Sequence, residues 1–469
     1  MNRRLVTLAI VALTALGAWL RFKHLYLPIT SDEMGLVQPL SFLGILLEEE
    51  TGVNPPLHRL VFNLLMPSID ATIMGGRIVS LICSVASIPM AFVLGKRVAA
   101  NPVAGLIVAG TFAFAPNAVT QSAMFRSYSL WLLITLWHLL AATRYLTAPE
   151  GKQKGPAIAL VISALLMPQL HYISIPILLG EGFALLFLFP KHRRGFSLFI
   201  PAGALIVPFL FIIPVMTGRR IPPENFSHGV GILIGMFLVP VMLVVVVTAF
   251  HVWNWKKNSL PLRFLTVGTI IMIFASLFAA GQQYIRTASG LFMMPFFIPI
   301  FASAVESLSD LAKERVKVLA AASLQLLLRG ASYGLIAYVL TKAILFGYND
   351  PSINNVDLGW PRFLSDVQQL SDVPNQLYLT DSPHELPTIY FKLTGDSIMK
   401  SRPSALCKDR LMCFSHEGRV FAGYRAEDSP NTPAVHVILN CLTTPQVPAE
   451  CILLRDEQCY KVWRCPASE

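Results

Sequence analysis

Residues 73–95 read IMGGRIVSLICSVASIPMAFVLG, a run in which Arg77 is the only charged residue, and Lys96-Arg97 follow it at once. About 20 apolar residues, rising 1.5 Å each, cross a hydrocarbon layer roughly 30 Å thick, so the run predicts a membrane span with a basic end. Comparable runs lie on both sides of it, near 5–20, 103–121, 128–147, 156–173, 174–190, 198–216, 230–252, 264–281, 290–305 and 326–347. With 73–95 they make about eleven spans. The composition of the 469 residues agrees: 54% are hydrophobic, 14% are charged and the mean hydropathy is +0.59. Soluble proteins carry about 25% charged residues. The sequence therefore predicts a polytopic α-helical membrane protein.

The net charge of +10 does not point to nucleic acid, because the basic residues fall in short clusters between apolar runs. They report topology instead. Arg3 and Arg4 precede the first run, and no small-x-small cleavage site follows it, so it reads as a retained helix whose rim is Arg21, Phe22, Lys23 and His24. With the N-terminus cytoplasmic, the inner loops carry Lys96 and Arg97; Arg144, Lys152 and Lys154; Lys191, Arg193 and Arg194; Lys256, Lys257 and Arg263; and Lys313, Arg315 and Lys317. An odd number of spans then puts the C-terminus outside. Arg329, inside the last run, is the residue on which that count turns. The expected location is a bacterial inner membrane.

From about Asn349 the composition turns polar, which divides the chain into a membrane domain, 1–348, with a long first outer loop at about 23–72, and a tail, 349–469. Trp360–Leu370 has helical spacing, Gln376–Thr380 reads as a strand and Pro387–Leu393 opens another helix, so the tail is expected to be a small soluble α/β domain. Six of the seven cysteines lie there: Cys407, Cys413, Cys441, Cys451, Cys459 and Cys465. No CxxC pair with finger-like spacing occurs, and disulfides are the preferred reading over zinc. Disulfides require an oxidising compartment, which agrees with an extracytoplasmic tail.

Few polar residues remain as candidates for chemistry. Asp32-Glu33 follows the first span on the outer side, where a carboxylate can serve as a general base or merely cap a loop. Asn54-Pro55-Pro56-Leu57-His58-Arg59 lies further along the same loop, and its prolines set a non-helical entry that would leave His58 and Arg59 facing the headgroups. Arg126 and Tyr128 open the span at 128–147, and Arg286 lies in the outer loop before Pro295. A guanidinium at the membrane plane suits a phosphate, whether of a substrate or of ordinary lipid. His171 and Tyr172 close the span at 156–173 on the same side, as sugar ligands or interface caps. No residue is assigned to a metal.

Taken in order, Asp32-Glu33, Pro55-Pro56-Leu57-His58, Gly76-Arg77-Ile78-Val79-Ser80 and Arg126-Ser127-Tyr128 resemble the GT-C superfamily of membrane glycosyltransferases. The branch is that of the protein O-mannosyltransferases and the lipid A aminoarabinose transferase. The likeness runs from the N-terminus to about Ala304. It implies an inverting transfer from a polyprenyl-phosphate sugar to a glycan, lipid or protein acceptor at the extracytoplasmic face. It also implies that Asp32 is the base, that Glu33 orients the acceptor or binds sugar, and that Arg126 and Arg286 hold the donor phosphate. Asn54 stands where related sequences often have His, and the Arg286 segment follows the branch pattern loosely. A transporter or flippase of lipid-linked sugars would also use many helices and outer arginines. It would not need the carboxylate pair, and no inverted repeat is evident. A polymerase of lipid-linked glycans would share the donor chemistry.

Overall fold

The computed structural model describes residues 2–22, 25, 69–149, 151–203, 243–281 and 289–315, together with six strands of the tail. Ten helices are named here: α1 (Arg3–Phe22), α2 (Ile69–Ala99), α3 (Pro102–Phe114), α4 (Pro116–Thr120), α5 (Tyr128–Thr147), α6 (Lys154–Leu166), α7 (Ser174–Phe183), α8 (Leu243–Trp253), α9 (Leu260–Gly281) and α10 (Ser289–Arg315). Among the described residues, Arg3–Phe22, Met74–Ala99 and Tyr128–Thr147 are long and apolar enough to cross a membrane, and six shorter apolar helices accompany them.

Large apolar side chains are exposed along these helices, among them Leu8, Ile82, Phe183, Val246 and Phe274. The interior is equally apolar, with Ile88, Phe112, Trp131, Leu136, Met272 and Phe296 fully buried or nearly so. A helix apolar all round belongs in lipid or in a large core. Several buried hydroxyls are satisfied within their own helices, as where Ser87 donates to Cys83 O (2.9 Å) and Thr269 to Leu265 O (2.9 Å).

Helix ends differ from the expected spans for local reasons. The run at 103–121 breaks after Phe114, because Pro116 holds the preceding Ala115 extended (ψ 126°). The run at 156–173 stays helical only to Leu166 and continues in turns around Pro168. The helix expected at 290–305 is longer, running through Pro295 and Pro299 to Arg315. Most of 198–216, the first part of 230–252, and all of 326–347 with Arg329 fall outside the described residues.

Arg21 corrects the sequence reading. Expected in a rim at the membrane interface, it is 1% exposed and turned into the bundle, while its neighbour Phe22 faces out. Its guanidinium donates to Phe112 O (2.6 Å), Ala113 O (2.7 Å), Gly17 O (3.0 Å) and Ser84 Oγ (2.8 Å). Pro116 has no N–H to return to Phe112 O four residues back, so the end of α3 lacks a donor that Arg21 supplies. A buried arginine is tolerated because four of its five N–H directions meet acceptors.

The chain divides into two compact units. The first, which holds all ten helices apart from the first few residues of α2, is Met1–Leu25, Leu46–Val61 and Met74–Gly347; the second is Tyr26–Ile45, Phe62–Ile73 and Tyr348–Glu469. The second contains one six-stranded sheet of order β2-β3-β1-β4-β6-β5. Its strands are β1 (Leu377–Thr380), β2 (Cys413–His416), β3 (Arg419–Gly423), β4 (Ala434–Ile438), β5 (Ile452–Asp456) and β6 (Lys461–Cys465). β1 lies parallel to both β3 and β4, and β2, β6 and β5 complete the sheet antiparallel. The strand expected at 376–380 corresponds to β1, while the helices expected at 360–370 and 387–393 lie outside the described residues. Among the described residues there is no disulfide and Cys83 is the free, buried thiol. The side chains of the six tail cysteines are outside that set.

Candidate active site

The N-terminal end of α5 carries Arg126 and Tyr128, and α2 fixes the loop that holds them. Gly76 leaves room for the buried ring of Phe125, since a Cβ there would lie 1.9 Å from Phe125 Cδ2. One turn further along α2, Ser80 Oγ donates to Arg126 O (3.3 Å), and Arg126 N donates to Met124 O (2.8 Å). Arg77, on the same face, donates to Leu25 O (3.1 Å). Residues 76–80 thus act as the seat of the Phe125-Arg126 segment.

Arg126 is 8% exposed, and its Cζ lies 6.0 Å from the centroid of the Tyr128 ring. Tyr128 in turn faces His171, with 5.7 Å between ring centroids. Phe292 of α10 backs both rings, 4.4 Å from His171 and 5.7 Å from Tyr128. Trp131 packs edge-on to Phe292 (4.9 Å) and donates its Nε1–H to Ser174 Oγ (2.6 Å), which ties the start of α7 to α5. Tyr172 is half-buried against the apolar core.

The backbone N–H of Ile173 donates to His171 Nδ1 (3.2 Å), so Nδ1 is an acceptor and the neutral ring carries its proton on Nε2. With its Nδ1 lone pair engaged by Ile173 N–H, the ring offers one N–H donor at Nε2. The first residues of α5, α7 and α10 meet here, and helix N-terminal ends add partial positive charge. An arginine, a neutral donor and a phenol at one end of a helical bundle can hold a phosphate and hydroxyls bonded near it.

Of the residues expected at the site, the structure brings Arg126, Tyr128 and His171 together, with Tyr172 next to His171 in the chain. Asp32, Glu33, His58, Arg59 and Arg286 lie outside the described residues. Sequence reasoning did not single out Trp131, Ser174 or Phe292, which sit inside apolar runs and carry no polar signal of their own. Among the described residues no three His, Cys, Asp or Glu side chains gather as metal ligands.

Apolar helices, three of them of spanning length among the described residues and exposing apolar side chains as well as burying them, fit a polytopic helical membrane protein. The particular structures it is similar to include two of ArnT from Cupriavidus metallidurans. One is bound to undecaprenyl phosphate (TM-score 0.51, 13% identity) and one is in the apo state (TM-score 0.52, 12% identity); each match covers 98% of both chains. At such identity the likeness is one of fold. No family model and no curated protein matches the sequence.

Proposed function

We propose that this protein is an inverting glycosyltransferase that moves a sugar from a polyprenyl-phosphate donor to a glycan, lipid or protein acceptor at the extracytoplasmic face of a bacterial inner membrane. The observation that carries the reading is the grouping of Arg126, Tyr128 and His171, whose Nδ1 accepts from Ile173 N–H and leaves Nε2–H as donor, at one end of the bundle, a phosphate-suited cluster. The fold supports it, since it is shared with ArnT, of which one structure holds undecaprenyl phosphate.

In this reading Asp32 takes the proton of the acceptor hydroxyl as its oxygen attacks the anomeric carbon. The bond from that carbon to the phosphate oxygen breaks on the opposite face, inverting the centre, and the phosphate leaves with the bonding pair. Arg126, with Arg286, stabilises the charge that grows on the phosphate. His171 donates from Nε2 to a donor oxygen; Glu33, His58, Arg59, Tyr128 and Tyr172 line the sugar and phosphate sites. Eleven spans, a cytoplasmic N-terminus and an extracytoplasmic α/β tail at 349–469 stabilised by disulfides complete the proposed topology.

Native mass spectrometry of gently extracted wild-type protein and its Arg126→Ala variant tests the donor. The expected result is a co-purifying lipid with the mass of a polyprenyl-phosphate sugar, lost in the variant. Ordinary phospholipid alone in both, in preparations that retain other tight lipids, rejects the reading in favour of a transporter. Asp32→Asn is expected to keep donor binding and abolish transfer; full transfer in that variant rejects the assigned base.

A further inference from the structure

Two hydrogen bonds join α5 to α7 at different depths. Trp131 Nε1 donates to Ser174 Oγ (2.6 Å), and His138 Nε2 meets Glu181 Oε2 at 2.7 Å. Both link residues 43 apart in sequence, so α5 and α7 run parallel in one register. The two bonds stand two turns apart on each helix, about 10 Å at 1.5 Å per residue. α7 also packs on α9, where Gly180 meets the Ile271 side chain, and the two bonds set its register against α5.

The lower bond is built from fully buried groups: His138 and Ser163 are 0% exposed and Glu181 is 1% exposed. Ser163 Oγ lies 2.8 Å from Ala159 O and 3.0 Å from Leu160 O, which commits its hydrogen to the backbone of α6. Its lone pair is left for His138 Nδ1–H at 2.9 Å. With Nδ1 donating to Ser163, Nε2 faces Glu181 Oε2, while Glu181 Oε1 is buried without a hydrogen-bond partner. The order hydroxyl, imidazole, carboxylate resembles a hydrolytic triad, but this serine has no access and no free proton, so it is no nucleophile.

Intramembrane ionisable groups are rare because they are costly, and the fold places this pair directly beneath the site. We propose that His138 and Glu181 are positioning residues for the donor site: they lock α7 against α5 so that His171, just before the first turn of α7, stays beside Tyr128 and Arg126. The proposal rests on the donor-binding reading above. A slip of α7 by one residue shifts His171 by about 1.5 Å, and misplacement on the order of 1 Å costs up to about a hundredfold at a reacting site.

The test measures binding of undecaprenyl phosphate to the full-length protein in detergent, below the melting temperature of each variant. Glu181→Gln keeps the bond, because the amide N–H donates to Nε2 of the neutral ring, and is expected to bind like wild type. Glu181→Ala is expected to weaken binding about tenfold or more. Ser163→Ala, which preserves the helix and removes only the acceptor of Nδ1–H, is expected to weaken binding in the same direction and serves if Glu181→Ala does not fold. Wild-type affinity in both alanine variants overturns the pin while leaving donor binding intact. Loss of binding in Glu181→Gln equal to that in Glu181→Ala also overturns it, since the bond would then not be what matters. A wild type that binds no undecaprenyl phosphate overturns the reading of the site itself, and the pin with it.

Discussion

The ring of Phe125 occupies the space that a side chain at Gly76 would need, 1.9 Å from where its Cβ would stand, and this approach carries Arg126 into the site. Phe125 is fully buried and its backbone neighbour Arg126 is held through Ser80, so the ring has little room to yield. Gly76→Ala is expected to cost about 1–3 kcal/mol from overpacking. It is also expected to weaken co-purification of the proposed donor, read by native mass spectrometry. In a Phe125→Ala background the same change should add almost nothing, because the space is then open; additive effects would contradict the packing argument.

Arg21 closes the end of α3 through Phe112 O and Ala113 O. Arg21→Met removes the donors and leaves buried carbonyls unsatisfied, at about 1–3 kcal/mol for each group. A clear fall in Tm in detergent is expected. Arg21→Lys should rescue only in part, because an ammonium cannot reach four acceptors in the plane of a fork. A melting temperature unchanged in Arg21→Met would show that these bonds contribute nothing.

The sheet constrains any disulfide pairing. Cys413 is in β2 and Cys465 in β6, with β3, β1 and β4 between them. Four strand spacings of about 4.8 Å make about 19 Å, whereas bridged Cα atoms lie within about 7 Å. Disulfide mapping of protein from its native host should never yield a Cys413–Cys465 peptide, which removes three of the fifteen possible connectivities. Recovery of that peptide would contradict the strand order.

What the sequence by itself determined is local. Runs such as 73–95 declare their solvent through length and composition, and the basic ends of α2 (Lys96, Arg97) and α5 (Arg144) are visible as clusters. Arg126 and His171 were suspect because a polar residue stands out beside an apolar run. Tertiary structure alone decided which of them meet. That Arg21 serves α3 rather than a headgroup depends on an orphan carbonyl at Phe112, 91 residues away, created by Pro116. That Trp131 reaches Ser174 and His138 reaches Glu181 depends on the register of two parallel helices, fixed only in the assembled bundle. Likewise β1 shows its own strand character, but its place between β3 and β4 is set by pairing across the chain. Hydropathy and period are properties of neighbours in sequence, whereas a site is a property of neighbours in space. The bonds that choose between equally apolar packings are few, long-range and made by residues whose own runs carry no mark of them.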